Sequence, residues 1–479
     1  MTPFFGLLHL RASFKAEVGS VVAVLELSRP SYAELLASFT RSFKLSNTPK
    51  NVVEHAKLCF LDWLGATLAG SAEKEAEVLA EVFGELSPKE SSIVGFKLKA
   101  PSQAAAYVNG AVSHMVELDD IHREAIIHPG VPVVPAALAL AEKQDVSGEK
   151  LLEAIIVGYE VEISIGKAVN PSHYKYWHTT GTCGTFGAAA AACKVLELSE
   201  EEVINALGIA GTHAAGLIEV FGTSSKPLNP GRAARDGVVA ALLASRGFTG
   251  PKTILEGEKG FFKATSSEED YEKGFKGLGE VYEICRNGFK RHSSCGHTHA
   301  AIDAVLSLTS RLGFRADEVI EVEVGTYRDA VEIVGRNYNP KSPAEAKFSL
   351  PYCIAVALLD GAVSLRQFTS SRLFSGDVRE LMKRVKVYLD EEVNSLYPKK
   401  LGARVRIKLK SGDVVEELVE VAKGNPENPL STSELVDKFV QLASLRVKVE
   451  DAKRLAEEVL KLEKVSVKEL LEDVTSSLT

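Results

Sequence analysis

The sequence predicts a mainly helical protein that carries an α+β insertion, and three patterns along the chain lead to this fold class. Apolar residues recur at helical spacing from about residue 33 to 272, with little strand alternation. Beyond about residue 273, runs of alternating apolar and charged residues appear between helical segments. From about residue 430 the pattern is helical again, so we expect the last segment to pack back on the first region.

The first region contains three well-marked helices. One is expected between Pro49 and Gly70, where apolar residues fall three and four positions apart, and another over 151–169. Residues 184–193 are mostly alanine and glycine. A helix made of such small residues would let neighbouring backbones approach closely, as a buried central helix requires.

The second region contains the strands. Residues 320–324 and 404–410 alternate between apolar and charged side chains, which is typical of strands with one wet face. A Ser-Gly-Asp turn at 411–413 leads into a further strand at 414–421. Helical patterns accompany the strands, over 300–312 and 352–365. The region is therefore α+β.

A chain of 479 residues favours two domains over one. We expect an N-terminal extension at 1–32, a helical domain formed by 33–272 and 426–479, and an α+β domain at 273–425. Residues 424–429 break the chain before Ser431 and Glu434, which predict a capping box at the start of the terminal helices.

The composition excludes several classes of protein. With 56 basic and 64 acidic residues, the net charge is −8, so no broad cationic surface is available for nucleic acid or acidic lipid. Six scattered cysteines without a CxxC pair predict reduced thiols and disfavour zinc ribbons and iron–sulfur clusters. Neither a signal peptide nor a membrane span is recognised, so we expect a cytoplasmic protein.

Four polar stretches carry the candidate functional residues, and the first is 117–130. There, Asp119 and Asp120 lie near His122 and His128, and adjacent carboxylates raise one another's pKa toward the range that an acid or base needs. A metal site is the rival interpretation, but the six-residue spacing of the histidines and the turn after them disfavour it. A helix end with solvated acids is the structural alternative.

In the second stretch, His178 precedes threonines and a glycine at the start of the small-residue helix. An imidazole and backbone N–H groups at a helix N-terminus would favour negative charge there. A cluster of capping threonines explains the pattern almost as well.

The third stretch surrounds Lys226 with glycine, proline and hydroxyl residues, and a predicted helix start at Gly231 is followed by Arg232 and Arg235. In a net acidic protein this cationic loop is a candidate carboxylate site. It lacks the Gly-Lys-Ser/Thr ending of a nucleotide-binding loop. Basic surface residues near a helix start are the structural alternative.

The fourth stretch, 289–300, holds three histidines and Cys295. Zinc is disfavoured because no second ligand pair at a recognised spacing accompanies His297 and His299. We predict instead a general acid or base beside an anion site. The candidates are His292 and His297 for proton transfer, with Lys290 and Arg291 for anion binding.

In this order, the stretches resemble the MmgE/PrpD family, which includes 2-methylcitrate dehydratase, cis-aconitate decarboxylase and iminodisuccinate epimerase. The resemblance covers nearly the whole chain from about residue 35. Its six blocks are LDWLGATLAGS (61–71), YVNGAVSHMVELDDIHREAIIHPG (107–130), WHTTGTCGTFGAAAAACKVLELS (177–199), GTSSKPLNPGRAARDG (222–237), FKRHSSCGHTHAAIDA (289–304) and GNPENPLSTSELVDKF (424–439).

The resemblance implies an all-helical domain built from both chain ends, a smaller α+β lid domain, a homodimer, and a site without metal or cofactor that takes di- or tricarboxylic acids. The matched functional positions are Asp119, Asp120, His128, His178 and Lys226. The decarboxylase branch, as we align it, has histidine near Cys295 and threonine near Ile121, so the resemblance favours dehydration.

We therefore expect a cofactor-independent lyase of the 2-methylcitrate or citrate dehydratase type. The expected roles are carboxylate binding for Lys226 with Arg232 or Arg291, proton transfer for His128, His178 and a lid histidine, and orientation of an imidazole for Asp119 or Asp120. A decarboxylase or an epimerase of the same family would use the same groups. A non-catalytic carboxylate-binding scaffold is the alternative of another class.

Overall fold

The structure is a computed structural model that describes residues 29–479, so residues 1–28 of the expected extension lie outside the described part. The predicted mainly helical fold with a small α+β part is confirmed. The elements of the first region are α1 (Tyr32–Ser42), α2 (Lys50–Gly70), α3 (Lys74–Gly84), β1 (Ser91–Ile93), β2 (Leu98–Ala100), α4 (Ser102–Ser113), α5 (Gly130–Lys143), α6 (Gly148–Val169), α7 (Thr179–Val195), α8 (Glu200–His213), α9 (Leu228–Ala244), α10 (Phe261–Thr265) and α11 (Glu272–Phe275).

The remaining elements form the second region and the terminal helices. They are α12 (His299–Leu312), β3 (Val319–Thr326), α13 (Arg328–Ile333), α14 (Pro343–Ala346), α15 (Leu350–Asp360), α16 (Ser370–Leu373), α17 (Gly376–Met382), β4 (Val385–Leu389), α18 (Glu391–Leu396), β5 (Ala403–Leu409), β6 (Val414–Val419), α19 (Thr432–Ala443), α20 (Val449–Val459) and α21 (Val467–Ser477). No helix in residues 29–479 combines the length and the apolar character that a membrane crossing needs.

Helix α7 lies at the centre of the first region, as its small residues predict. A Cβ at Gly187 would come within 2.8 Å of the carbonyl oxygen of Gly158 on α6, and one at Gly237 on α9 within 2.5 Å of the Ala188 Cβ. The backbones of three helices therefore meet at distances that larger side chains would prevent.

Two large hydrophobic clusters divide the described chain. One combines buried residues between Ala33 and Phe289 with residues of α19, α20 and α21, and the other contains buried residues between Ala300 and Ala422. The terminal helices therefore pack on the first region, and the predicted capping box of Ser431 and Glu434 is present. We propose that the two clusters are the cores of the two expected domains.

The second region has a four-stranded sheet with the order β4-β3-β5-β6. Strands β3, β5 and β6 run antiparallel along the predicted alternating segments, with Val324 opposite Val405 and Val405 opposite Glu417. Strand β4, which pairs with β3 in parallel, and the β1–β2 hairpin were not predicted. Helix α15 ends earlier than predicted, because the left-handed Gly361 follows Asp360.

Candidate active site

The polar stretches meet where the first region contacts the second. The loop between α4 and α5 supplies Val116, whose carbonyl oxygen accepts hydrogen bonds from Ser293 Oγ at 3.0 Å and from Lys347 Nζ at 3.3 Å. Glu117, in the same loop, forms ion pairs with Lys226 of the first region and Lys290. Residues far apart in the sequence thus surround one loop.

This loop is irregular and partly strained. Glu117 and Ile126 adopt left-handed φ angles of 58° and 50°, which are unfavourable for side chains of their size and cost about 1–3 kcal/mol each. Reciprocal backbone hydrogen bonds between His122 and Ile127 close the turn before His128. The turn places the His128 ring beside the acidic pair.

The structural alternative of solvated acids at a helix end is wrong, because Asp119 and Asp120 are only 1% and 2% exposed. Asp119 Oδ2 lies 2.7 Å from His114 Nδ1 and 3.0 Å from His128 Nδ1. The Nδ1 atom of His128 is also 2.6 Å from the carbonyl oxygen of Asp120. One carboxylate therefore orients two imidazoles.

The electrostatics keep this carboxylate charged. Burial alone would raise the pKa of Asp119, but His114, His128 and Lys290 hold it well below its ordinary value. Burial lowers the pKa of His114 to about 4, despite the opposing effect of Asp119. At neutral pH the pair is therefore an ionised Asp119 beside a neutral His114.

Asp120 has a different environment from its neighbour. Gly130 N donates to Oδ1 at 3.0 Å, and Tyr159 Oη and Asn287 Nδ2 each donate to Oδ2 at 2.6 Å. Burial, with Asp62 nearby, raises the pKa of Asp120 to about 7 despite these donors. The side chain ties the start of α5 to α6 and to the segment before the fourth stretch.

His178 lies in the same group of rings. Its ring centroid is 5.6 Å from that of His114, which in turn is 5.0 Å from that of His128. The Phe221 ring lies 5.0 Å from the His178 ring and 5.3 Å from Lys226 Nζ. The structure thus brings together His128, His178 and Lys226, as the predicted site requires.

Three lysines form a buried cationic group, which we call the lysine cluster: Lys226, Lys290 and Lys347, 7%, 4% and 8% exposed. Lys226 donates to Glu117, Lys290 donates to the same carboxylate at 3.2 Å, and Lys347 donates to the carbonyl oxygen of Val116. Burial would raise the pKa of Glu117, but Lys226 and Lys290 hold it well below its ordinary value. Burial lowers the pKa of Lys347.

The structure places His292 and Arg291 at another carboxylate. Asp303 Oδ1 lies 2.9 Å from His292 Nε2 and accepts a hydrogen bond from Arg291 Nη1 at 3.2 Å. His297 is hydrogen-bonded to the hydroxyl of Tyr327, and burial lowers its pKa to about 4. Among the described residues, the side chains of His292 and Arg291 form their ion pairs with Asp303 and none with Glu117, the carboxylate that holds Lys226 and Lys290.

Arg232 is surrounded by acceptors of the protein itself. Its guanidinium donates to the carbonyl oxygens of Gly181, His213 and Ala215, and to Asp236 Oδ2 at 3.1 Å. The helix that carries it begins at Leu228 and not at the predicted Gly231. We therefore assign Arg232 to holding the start of α7 against the end of α8, and not to binding substrate.

Several residues of the site were not among the sequence candidates: His114, Glu117, Asn229 and Lys347. His114 ends an apolar helix, where a histidine is expected to be an ordinary core residue. Lys347 is a single lysine between short helices. The available signal was that His114 and Glu117 belong to the block at 107–130.

The geometry of His114, Asp119 and His128 can be compared with that of a metal site. Ligand atoms of His114, Asp119 and His128 all lie within 4.8 Å of one another. However, both Nδ1 atoms face the same carboxylate oxygen and so carry protons directed at it, and Lys290 adds positive charge. The donor set therefore fits an oriented imidazole pair better than a metal centre.

We predict that Asp120→Asn changes the pH dependence of stability. Because the pKa of Asp120 rises from 3.8 to about 7 on folding, the native chain holds an extra proton between these values. The stability that this proton contributes is present at low pH and is lost as pH rises to 7, by up to about 1.4 kcal/mol per pH unit.

The Asn variant should lose this contribution and should also be less stable by about 1–3 kcal/mol. Its NH2 group would face a donor in either orientation of the amide, which is Gly130 N on one side or Tyr159 and Asn287 on the other. Thermal midpoints at pH 5 and pH 7 measure both effects, with the exposed Asp317→Asn as control. Equal pH slopes in Asp120→Asn and the unsubstituted protein would refute the assignment.

The sequence is similar over most of its length to a known protein family and to several of its members. The sequence profile of the MmgE/PrpD N-terminal domain matches residues 34–274, and that of the C-terminal domain matches residues 292–464. The cis-aconitate decarboxylase of Mus musculus is 31% identical over 90% of this chain and 91% of its own length. The cis-aconitate decarboxylase-like protein oryM of Aspergillus oryzae is 29% identical over 92% of this chain and 97% of its own length. The 2-methylcitrate dehydratase of Salmonella typhimurium is 21% identical over 78% of this chain and 81% of its own length.

Proposed function

Since the chain belongs to the MmgE/PrpD family, we propose that it is a lyase that binds a small tricarboxylic acid and moves a proton at a carbon near one of the carboxylates. The observation that carries this proposal is the lysine cluster. Each ammonium group has three N–H donors, and each makes one hydrogen bond within residues 29–479. Two donors on every lysine therefore have no hydrogen-bond partner among the described residues.

A carboxylate is the ligand that suits these donors. Buried ammonium groups are costly unless acceptors surround them, and charge-assisted N–H···O bonds to carboxylates are about twice as strong as neutral ones. Glu117 and Asp119 offer two negative charges to three lysines, which leaves one positive charge uncompensated. An acid with several carboxylates would supply both acceptors and charge.

Decarboxylation of a cis-aconitate-like acid is our first candidate, because the decarboxylases are about 30% identical to this chain and the dehydratases about 22%. In that reaction a carbon–carbon bond breaks, carbon dioxide leaves, and the electron pair kept by the substrate takes up a proton. The His128 ring, oriented by Asp119, is the proposed proton donor.

Dehydration of a citrate-like hydroxy acid is our second candidate, favoured by Cys295 and Ile121 at positions where we align histidine and threonine of the decarboxylases. Burial raises the pKa of the Cys295 thiol, so this group stays protonated at neutral pH. In dehydration Nε2 of His128 would instead accept a proton from carbon, and the electron pair of the C–H bond would form the double bond as the C–O bond breaks. The departing hydroxide would take that proton back from His128 and leave as water.

We expect the protein to convert one of three acids: cis-aconitate, citrate or 2-methylcitrate. Proton NMR of each acid with the purified protein would distinguish loss of carbon dioxide from loss of water, with propane-1,2,3-tricarboxylate as a related acid that can do neither reaction readily. Turnover of any of the three would support a tricarboxylate lyase. No product from any acid would favour the non-catalytic scaffold and contradict the proposal.

We also propose a homodimer in the cytoplasm. The dimer follows from the family resemblance, and the six free cysteines accord with a reducing compartment. Light scattering of the purified chain measures the mass directly: a value of about twice 51.6 kDa is expected, and a monomer would contradict this part of the proposal.

A further inference from the structure

We propose that Asn229 keeps His178 in the neutral form with its proton on Nε2, so that His178 is a fixed hydrogen-bond donor, whereas His128 is the imidazole that carries the transferred proton. The catalytic roles of the two histidines rest on the proposed function, whereas their tautomers follow from the hydrogen-bond partners of their rings. The sequence predicts proton transfer for both histidines, whereas this proposal gives them different roles.

The evidence for His178 is its partner. Asn229 Nδ2 lies 3.1 Å from His178 Nδ1, and an amide nitrogen is a donor only, so Nδ1 accepts and the ring proton lies on Nε2. A second proton on Nδ1 would place two donors face to face. Burial, with His114 and Lys226 nearby, also lowers the pKa of His178 well below its ordinary value.

The Asn229 side chain is held in a narrow space. A Cβ at Gly181 would come within 3.0 Å of the Asn229 Cβ, and one at Gly216 within 3.2 Å of its Cγ. The backbone N–H of His178 donates to the carbonyl oxygen of Gly216 at 3.0 Å, so imidazole and amide are anchored to the same segment. The packing therefore restrains the amide relative to the ring.

His128 and His114 have the opposite arrangement. Their Nδ1 atoms face the carboxylate of Asp119, which is acceptor-only when ionised, so both Nδ1 atoms carry protons. Nε2 is then the ring nitrogen of each that can accept a proton. The His114 Nε2 atom is buried and has no hydrogen-bond partner within residues 29–479.

These tautomers define complementary roles. When the C–H bond of a bound acid breaks, its proton joins Nε2 of His128, and Asp119 stabilises the resulting imidazolium. The electron pair left on carbon spreads onto the neighbouring carboxylate, where Nε2–H of His178 can donate a hydrogen bond without giving up its proton. In decarboxylation the proton moves the other way: His128 first takes a proton from solvent on Nε2, and this imidazolium protonates the carbon that has lost carbon dioxide. The arrangement therefore serves dehydration and decarboxylation alike.

Asn229→Asp tests the positioning role of the amide. A carboxylate at this position would accept from Nδ1 and so move the proton of His178 away from Nε2. We expect kcat to fall about 10- to 100-fold, with a smaller change in KM. The exposed Asn51→Asp makes the same chemical change away from the site and should leave both values unaltered.

The tautomer itself is measured by two-dimensional ¹H–¹⁵N NMR of histidine-labelled protein without substrate, with the His178 signals assigned from a His178→Gln spectrum. The proposal predicts an Nε2–H neutral His178 in the unsubstituted protein and a shift to Nδ1–H or to the charged form in Asn229→Asp. An Nδ1–H or charged His178 in the unsubstituted protein would overturn it. Because this readout needs no substrate, it stands even if every acid tested fails to react, which would refute only the proposed function.

Discussion

Replacing His128 by asparagine is expected to lower kcat by about 1,000-fold or more, within the roughly 10²–10⁴-fold range of general acid–base catalysis. In our account Nε2 of this ring is the atom that exchanges a proton with the substrate carbon, and Asp119 holds the ring and stabilises its charged form. Asparagine keeps a donor near Asp119 but removes the titrating nitrogen. KM should change little, because the ring acts mainly in the transition state.

Steady-state kinetics on the acid identified by NMR would measure this effect. His213→Gln is a suitable control, because the His213 side chain is 36% exposed and lies outside the group formed by the rings of His114, His128 and His178. A fall in kcat/KM caused by KM alone would show that His128 binds substrate without moving its proton. Near-normal turnover would refute its role altogether.

Replacing Lys226 by alanine is expected to lower kcat/KM by at least about 100-fold. Truncating one partner of a buried, hydrogen-bonded charge pair costs about 2–5 kcal/mol, and here the lost ammonium group would also contact the substrate carboxylate. Glu117 would keep Lys290 as its partner, so the fold should survive. Most of the loss should appear in KM if the contact is equally strong in ground and transition states.

The control for this variant is Lys97→Ala, which removes an exposed lysine far along the chain from the cluster. Circular dichroism and the thermal midpoint would establish that Lys226→Ala is folded. A folded variant with undiminished kcat/KM would contradict the proposed carboxylate site.

Much of the fold follows from local patterns. Helix α2 and the strands β3 and β5 are predicted by the spacing of their apolar residues, and helix α7 is predicted by its run of small residues. Both signals are present in the local sequence. Strand β4 is different, because its parallel pairing with β3 depends on a crossover of many residues that no local pattern encodes. Helix starts also depend on context, as the earlier start of α9 shows.

The sequence indicates candidate site residues where several polar residues are adjacent, as at Asp119, His128 and Lys226, and the structure places these three in one region. His114 and Lys347 were not indicated, because no local pattern distinguishes them from an ordinary core histidine and an ordinary surface lysine, and only the folded chain brings them to Asp119 and Val116. The converse applies to Arg232, whose sequence context predicts an anion site although backbone carbonyls surround its guanidinium. Contacts between distant segments therefore decide which charged residues are available to a ligand.

The most direct test of the whole account is a crystal structure of the protein with propane-1,2,3-tricarboxylate, an unreactive acid of the proposed class. The account predicts carboxylate oxygens within about 3 Å of Lys226 Nζ and Lys290 Nζ, with the carbon chain facing Nε2 of His128 and His178. A ligand bound elsewhere, or bound here without contact to either lysine at saturating concentration, would contradict it.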